Sequence, residues 1–420
     1  MKKLRILVTS LVAALSLLPL STSNADAHKA PATSAKATFT LNAKVLDGGQ
    51  QIVSLTIDTG RLGVKASSLA ADTFSVKATG TNPYTSLDPA TVFGTFADVE
   101  RTVTGVHLDR SGRIVVDLKS GYGVDGASTF AWGNSVGRNL MLDLTYTVTQ
   151  NKPIALRHGG SFTFSALRQG KVVDPEVNAF GSGKTAGLKY RLYTPHASGK
   201  RPLVVWLHGG GEGGWAEAQN NDLPLIANRG ALGFITPQAQ RIFGGAYVLA
   251  PQATDYWLND PAMGYSAKLK KLIDTVVKHN RIDRNRIYVV GASNGGYMTP
   301  RLVVDNPGYF AAQVPICPAL LFGDPVVRMI SDAELASVRT PTWVVQAKSD
   351  DVVPFEANGK HMAETIPYAL LSAYADVTYG GVTYPGHWSW IYVARNDPTN
   401  AKGQHIWQWM AKQSLKHHHR

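Results

Sequence analysis

The chain has 420 residues, a formal net charge of +12 and 44% hydrophobic residues. This length is enough for two ordinary domains, and the composition is that of a globular protein. Its basic residues are scattered without a long like-charged run, which gives little support to nucleic-acid binding.

Residues 1–27 have the pattern of a signal peptide. A basic start precedes an apolar run from Ile6 to Leu20, and Ala25-Asp26-Ala27 provides a small-residue cleavage site. The apolar run is short for a membrane span, and no later stretch is long enough to be one. We therefore expect an exported chain, secreted or periplasmic, with no membrane association after cleavage near His28. A retained membrane anchor is the alternative.

An all-β texture follows over residues 38–151. Short runs of alternating polarity, separated by Gly, Asp, Asn and Pro, predict strands at 38–45, 51–57, 74–78, 113–118 and 140–148. This spacing predicts an immunoglobulin-like β-sandwich, with a jelly roll as the competing architecture. The sequence contains a single cysteine, which excludes an inter-sheet disulfide.

Residues 152–175 form a joining segment. Over residues 176–415 the sequence pattern then predicts alternating strands and helices. Apolar runs predict strands at 188–194, 202–207, 246–250, 287–290, 311–316 and 342–347. Helical spacing predicts helices near 266–279, 355–366 and 404–413. This alternation predicts a mostly parallel sheet covered on both sides, with binding at the carboxyl ends of its strands. Cys317, at the end of one apolar run, is interpreted as a buried strand residue rather than a reactive thiol.

The stretch from Gly291 to Gly295, with Ser293 at its centre, has the G-x-S-x-G pattern of a nucleophile elbow. It follows the predicted strand 287–290 directly and opens into a helix-compatible segment. A strand that turns into a helix within one residue strains the serine and leaves no room for side chains at the two glycines. We therefore predict that Ser293 is a nucleophile; the alternative is a glycine-rich turn of a nucleotide-binding sheet. Pro300 falls inside the predicted helix, where we expect it to bend or end the first turns.

A glycine-rich loop, His208 to Gly214, follows the predicted strand 202–207. Such a loop exposes backbone N–H groups, which with the N–H of Asn294 would bind an oxyanion. Gly210 is our choice for the second donor. The loop lacks the G-K-[ST] ending of a phosphate-binding loop.

A serine hydroxyl becomes a nucleophile when a base takes its proton, and in this type of site the chain order is Ser, Asp, His. Asp350 lies on the loop after the predicted strand 342–347, with Asp351 as the adjacent alternative. His387 lies in a later loop, whereas the histidines on either side of it fall in predicted helices. We therefore predict the triad Ser293, Asp350 and His387.

Together these motifs resemble a known family. They are Leu207-His208-Gly209-Gly210-Gly211-Glu212, Gly291-Ala292-Ser293-Asn294-Gly295-Gly296, Asp350 with Val353-Pro354, and Gly386-His387-Trp388. They resemble the α/β-hydrolase serine esterases of the polyhydroxybutyrate depolymerase, feruloyl esterase and prolyl-oligopeptidase-like group. The β-rich leader resembles the immunoglobulin-like domain of some secreted bacterial esterases. The resemblance implies an α/β-hydrolase fold for 176–415, preceded by the sandwich.

These observations predict a secreted serine esterase that cleaves carboxylic esters through an acyl-enzyme, without metal or organic cofactor. Its partner would be a small-molecule or polymeric ester. The alternatives are a prolyl-oligopeptidase-like serine peptidase, a polyester depolymerase, and a polysaccharide-binding protein that has lost catalysis. The peptidase branch carries a propeller-sized amino-terminal region that this sequence lacks. Trp257, Tyr297 and Trp388 are candidate walls of the substrate pocket, with ordinary core packing as the alternative.

Overall fold

The computed structural model of the protein describes residues 34–60, 62–216 and 218–417. The expected signal peptide, 1–27, lies outside the described residues. The described residues of the amino-terminal part form twelve strands: β1 Ser34–Leu46, β2 Gly49–Ile57, β3 Phe74–Thr81, β4 Val92–Phe93, β5 Phe96–Arg101, β6 Val103–Leu108, β7 Ile114–Leu118, β8 Phe130–Gly133, β9 Arg138–Met141, β10 Asp143–Gln150, β11 Ile154–Ala155 and β12 Ser161–Val173.

The amino-terminal strands form a sandwich. One sheet has the order β11-β12-β1-β2-β7-β6, the second has the order β10-β3-β5, and a small sheet β4-β8-β9 lies beside them. Alternate residues such as Phe39 and Leu55 on the first sheet pack against Phe74 and Val148 on the second, in one buried cluster. This alternation is what places one face of each sheet in a shared core.

The segment expected to join the two domains is part of the sandwich. β12 pairs in parallel with β1, so the first sheet continues to Val173 rather than ending near residue 151. β12 is rich in polar and charged residues because much of it is exposed, and this weakens the apolar pattern by which strands are recognised.

In the carboxy-terminal part, as far as the structure describes it, twelve further strands occur: β13 Phe180–Thr185, β14 Leu188–Tyr193, β15 Arg201–Leu207, β16 Tyr247–Gln252, β17 Ile282–Ala292, β18 Ala312–Ile316, β19 Leu321–Phe322, β20 Val327–Arg328, β21 Trp343–Ala347, β22 Leu370–Tyr374, β23 Val377–Tyr379 and β24 Val382–Tyr384. Its helices, with α1 at the domain junction, are α1 Pro175–Asn178, α2 Leu223–Ile226, α3 Gly230–Gly233, α4 Pro237–Phe243, α5 Asp260–Met263, α6 Tyr265–His279, α7 Asn294–Asp305, α8 Asp332–Ser337, α9 His361–Thr365, α10 Trp390–Ala394 and α11 Ile406–Lys412. The predicted helix 355–366 is divided, because Glu356–Lys360 is a π-helical turn before α9.

Eight of these strands form one sheet in the order β13-β14-β16-β15-β17-β18-β21-β22. From β16 to β22 the strands are parallel, whereas at one edge the pairings of β13 with β14 and of β14 with β16 are antiparallel. β15 and β17 lie at the centre and are buried on both faces, as their continuous apolar runs predict. Two buried clusters cover the two faces of this sheet, one containing α6 and α7 and the other containing α11. None of the described helices has both the length and the apolar character needed to cross a membrane.

Two arginines tie the two parts together. Arg395 forms a two-pronged ion pair with Asp47 of the sandwich, with both hydrogen bonds at 2.9 Å. Arg138 of β9 is 1% exposed, donates to the carbonyl of Gly214 at 3.2 Å and pairs with Asp255. These contacts fix the sandwich against the carboxyl ends of the parallel strands, where the predicted site lies.

Candidate active site

Ser293 occupies a sharp turn between β17 and α7. Its backbone has φ 56° and ψ −113°, a positive-φ conformation outside the allowed regions, which is strained for a residue with a side chain. A Cβ on Gly291 would lie 2.4 Å from the carbonyl oxygen of Gly295, and one on Gly295 would lie 2.1 Å from that of Leu207. Both glycines are therefore required by close backbone approach, as the elbow pattern predicts.

The helix after the elbow is longer than expected. Pro300 lies inside α7, yet the helix continues to Asp305. Its first turns are buried between the sheet and neighbouring elements, and this packing compensates for the hydrogen bond that the proline cannot donate. Pro300 therefore does not end the helix, and the other expectation, a bend at Pro300, stays a prediction.

Asp350 and His387 form a buried pair. The Nδ1 atom of His387 lies 3.0 Å from each carboxylate oxygen of Asp350. Oδ1 of Asp350 also accepts hydrogen bonds from the backbone of Val352 and Val353, and Oδ2 accepts one from Gln346. Because both carboxylate oxygens are occupied by donors, the carboxylate is held in one orientation. The neighbouring alternative, Asp351, points to solvent.

The pKa of His387 reflects several opposing influences. Burial lowers the pKa of this histidine, but Cys317 and Asp350 outweigh burial and raise the pKa above its ordinary value. An imidazole with a raised pKa is a strong base for the proton of a hydroxyl group. Ser293 and His387 line the same cavity, although the described residues give Ser293 Oγ no hydrogen-bond partner.

The side chain of His208 holds the glycine-rich loop in place through two hydrogen bonds. Nε2 of this buried ring accepts a hydrogen bond from the backbone N–H of Ala253 at 3.0 Å, so that Nδ1 carries the proton and donates it to the Gly209 carbonyl. Burial lowers the pKa of His208 to about 3, which keeps the ring neutral. A Cβ on Gly209 would lie 3.8 Å from Cβ of Ser293, and one on Gly210 would lie 3.6 Å from the side-chain nitrogen of Asn294. The loop is thus positioned beside Ser293.

The cavity above Ser293 has a volume of about 660 Å³ and is formed by both parts of the chain. The sandwich contributes Phe93, Phe130 and Trp132, which face the elbow and the glycine-rich loop. Phe93 and Trp132 are a directly opposed cross-strand pair, 57% and 38% exposed, at the mouth. One wall of the cavity beside Ser293 is therefore formed by the sandwich.

Two family models match this chain. Residues 188–352 match the model described as esterase PHB depolymerase, and residues 38–163 match the model described as esterase Ig-like N-terminal domain. The chain combines an Ig-like esterase domain with an esterase PHB depolymerase domain. The expected resemblance and fold class are confirmed, and the jelly-roll alternative is excluded.

Similar proteins agree on the fold. A crystal structure of a thermostable esterase aligns with 90% of this chain and 99% of its own, with a TM-score of 0.70 and 24% identity. Acylamino-acid-releasing enzyme 1 of Oryza sativa subsp. japonica is 31% identical over 29% of this chain and 15% of its own length. Cutinase 2 of Thermobifida cellulosilytica is 26% identical over 41% of this chain and 60% of its own. The chain therefore spans less than two thirds of either curated relative.

The three residues of the esterase domain that were predicted to line the substrate pocket lie in different environments. Trp388 lines the cavity and packs against Tyr122 of the Ig-like domain, with ring centroids 5.6 Å apart. Trp257 and Tyr297 are instead buried in the helix-side core, at 0% and 1% exposure, and are not cavity residues. The prediction is wrong for these two because Trp257 packs beneath the ring of His208, and Tyr297 lies on the face of α7 that meets the core.

Sequence reasoning missed a buried carboxyl in the cavity. Glu212 lines it and accepts a hydrogen bond from Asn228 at 3.1 Å. Burial raises the pKa of Glu212 to about 7. Glu212 stands in the glycine-rich motif itself, but only the fold shows that its side chain turns inward.

Cys317 is the second residue whose position was not foreseen. It is fully buried, as expected, but it lies one residue beyond β18 and has φ 35°. Its Sγ, a carboxylate oxygen of Asp350 and a ring nitrogen of His387 all lie within 4.8 Å of one another. The thiol therefore adjoins the Asp350–His387 pair.

Proposed function

We propose that this protein is a secreted serine esterase that cleaves carboxylic esters through a Ser293–His387–Asp350 triad. The observation that carries the proposal is the buried His387–Asp350 pair beside a serine held at φ 56° on an esterase-family elbow. The strained backbone presents Ser293 at the carboxyl end of the central strand, where its side chain and His387 line one cavity.

In the proposed reaction, His387 takes the hydroxyl proton of Ser293 as Oγ attacks the ester carbonyl. Asp350 holds the imidazole with its Nδ1 protonated and stabilises the imidazolium that forms. The backbone N–H groups of Gly210 and Asn294 receive the oxyanion, and neither N–H has an acceptor among the described residues. His387 then gives its proton to the leaving alcohol. Water, deprotonated by His387, hydrolyses the acyl-enzyme and regenerates Ser293.

A polymeric ester is a second candidate substrate, favoured by the mouth of the cavity. Phe93 and Trp132 expose aromatic surface at the rim, and a contiguous exposed aromatic surface beside a cleft marks a binding site. A long ester chain would lie across this rim while one ester bond reaches Ser293. The similarity to a cutinase supports this substrate class, and the partial similarity to an acylamino-acid-releasing enzyme keeps a peptidase as the competing assignment.

The test combines labelling with a substrate panel. A fluorophosphonate should label Ser293, as located by mass spectrometry of the digested protein, and should abolish activity. Short nitrophenyl esters, a soluble polyester oligomer and aminoacyl anilides are then assayed side by side. Preference for anilides would replace the esterase assignment by a peptidase. Labelling of a different serine would end the triad assignment.

A further inference from the structure

Three side chains contact the imidazole of His387 from different directions. Asp350 meets the Nδ1 edge with both oxygens at 3.0 Å. Trp390 packs against the ring almost perpendicularly, with centroids 5.5 Å apart. Cys317 is the third, and its Sγ lies within 4.8 Å of both a ring nitrogen and the Asp350 carboxylate. The role of the thiol is not explained by the proposed chemistry, which uses only the serine, the histidine and the aspartate.

The backbone directs this thiol to the pair. β18 lies between β17, which ends one residue before Ser293, and β21, which precedes Asp350. Cys317 follows β18 immediately, its N–H donates to Val345 of β21 at 2.9 Å, and its φ of 35° is unusual for a residue other than glycine. Such a conformation persists only where the surroundings enforce it, and it is concentrated at functional sites. The unusual positive φ of Cys317 thus occurs at the residue whose side chain lies beside His387 and Asp350.

We propose that Cys317 is a positioning residue of the triad, whose thiol fixes the imidazole of His387 against Asp350 in the orientation that faces Ser293. This inference rests on the proposed function and adds a fourth residue to its triad. The thiol offers a weak donor for the carboxylate and a polarisable acceptor for a ring N–H, so it suits a position between the two.

The titratable groups around His387 determine in which direction its pKa should move when Cys317 is removed. The titratable groups that face it are Asp350, Cys317 and, across the cavity, Glu212. Cys317 acts to raise the pKa of His387. Its removal should therefore lower that pKa, and the acid limb of the pH profile should move to lower pH.

The experiment compares Cys317→Ala, Cys317→Ser and a matched control, Val314→Ala. Val314 is fully buried in β18, three residues before Cys317, and packs in the same buried cluster, but its side chain has no atom that could hydrogen-bond to the triad. We expect Cys317→Ala to lower kcat about tenfold with KM unchanged, because a loosely held base is misplaced only for the chemical step. Its acid limb should shift down by about half a pH unit. Cys317→Ser, which keeps a hydrogen-bonding group, should recover most of kcat.

Val314→Ala should lower the melting temperature while leaving the acid limb where it is in the wild type. A Cys317→Ala limb that coincides with the wild-type limb would overturn the inference, even if activity fell, because that result describes a merely structural residue. Serine rescue no better than alanine would do the same.

Two readouts separate this inference from the proposed function. The rate at which fluorophosphonate labels Ser293 reports on the base without any ester, and its pH profile should show the same shift. The low-field proton resonance of His387 Nδ1–H reports on the orientation of the ring even in a protein with no activity. We expect this resonance to persist in Val314→Ala and to broaden in Cys317→Ala. A sharp resonance in Cys317→Ala would overturn the inference, whereas a wild type that is neither labelled nor active would overturn the proposed function.

Discussion

Replacing Asp350 with asparagine tests whether the proposed triad depends on which ring nitrogen of His387 carries the proton. The side chain of Asp350 is fully buried and accepts hydrogen bonds on both oxygens. The asparagine oxygen must stay with the backbone N–H groups of Val352 and Val353, because an amide NH₂ there would face two donors. Its NH₂ group then faces Gln346 and His387. His387 must accept from it at Nδ1, which moves the ring proton to Nε2, the atom that has to accept from Ser293.

The expected loss follows from that wrong tautomer. We predict that kcat falls about 10⁴-fold, roughly 5 kcal/mol of transition-state stabilisation, with little change in KM. A further cost of about 1–3 kcal/mol in stability comes from the one N–H of Gln346 that loses its acceptor, while the other N–H still donates to the Val353 carbonyl. Asp351→Asn is the matched control, because Asp351 is adjacent and exposed, and it should keep wild-type activity.

The assay measures kcat and KM on a short nitrophenyl ester, with a thermal melt for each variant. If Asp350→Asn retained more than about a tenth of wild-type kcat, the argument from the ring tautomer would be refuted. If Asp351→Asn lost activity instead, the assignment of the acid would be wrong.

Further predictions concern the nucleophile, the base, the rim and the elbow. Ser293→Ala should lower kcat about 10⁶-fold without altering the melting temperature by more than a few degrees, and a fluorophosphonate should then label no other residue. Because only neutral His387 accepts a proton and its pKa is raised, activity should rise with pH along a limb centred above the ordinary histidine value of about 6.5; a limb centred below that value would contradict the assigned environment. Trp132→Ala should raise KM for a polyester oligomer about tenfold while leaving a short nitrophenyl ester unchanged, so an equal effect on both substrates would exclude a role at the rim. Gly295→Ala should give inactive or unfolded protein, because the new Cβ would lie 2.1 Å from the carbonyl oxygen of Leu207, and soluble active protein would refute the close approach.

Residues whose roles depend on local geometry were predictable from the sequence. A Cβ on Gly291 would collide with the backbone of Gly295, four residues later, and a Cβ on Gly295 would collide with Leu207 at the end of the neighbouring strand β15. The G-x-S-x-G pattern therefore predicts both glycines from local contacts. The pairing of Asp350 with His387 also followed, because the chain order and the strand before Asp350 place both on loops at the same edge of the sheet. The apolar runs of β15 and β17 predicted the centre of that sheet.

Residues whose roles depend on where their side chains point in the folded protein were not predictable from the sequence. Trp257 and Trp388 are both aromatic residues in loops or short turns, yet one lies in the core and the other in the cavity. Glu212 is a charged residue in a glycine-rich loop, which usually points to solvent, and here it is buried. β12 carries a polar pattern, and its place in the sheet depends on pairing with β1 more than a hundred residues earlier.

The sequence by itself predicted the proposed nucleophile, base and acid and the two-domain organisation, because each has a signature within a short stretch of chain. Only the tertiary structure decided which surfaces enclose the cavity beside Ser293. A Cβ on Gly211 would lie 3.2 Å from the ring of Trp132, although about eighty residues separate them in the chain. That proximity arises from docking of the Ig-like domain through Arg138 and Arg395. Contacts between distant segments depend on the packing of whole domains, and no local pattern of polarity encodes them.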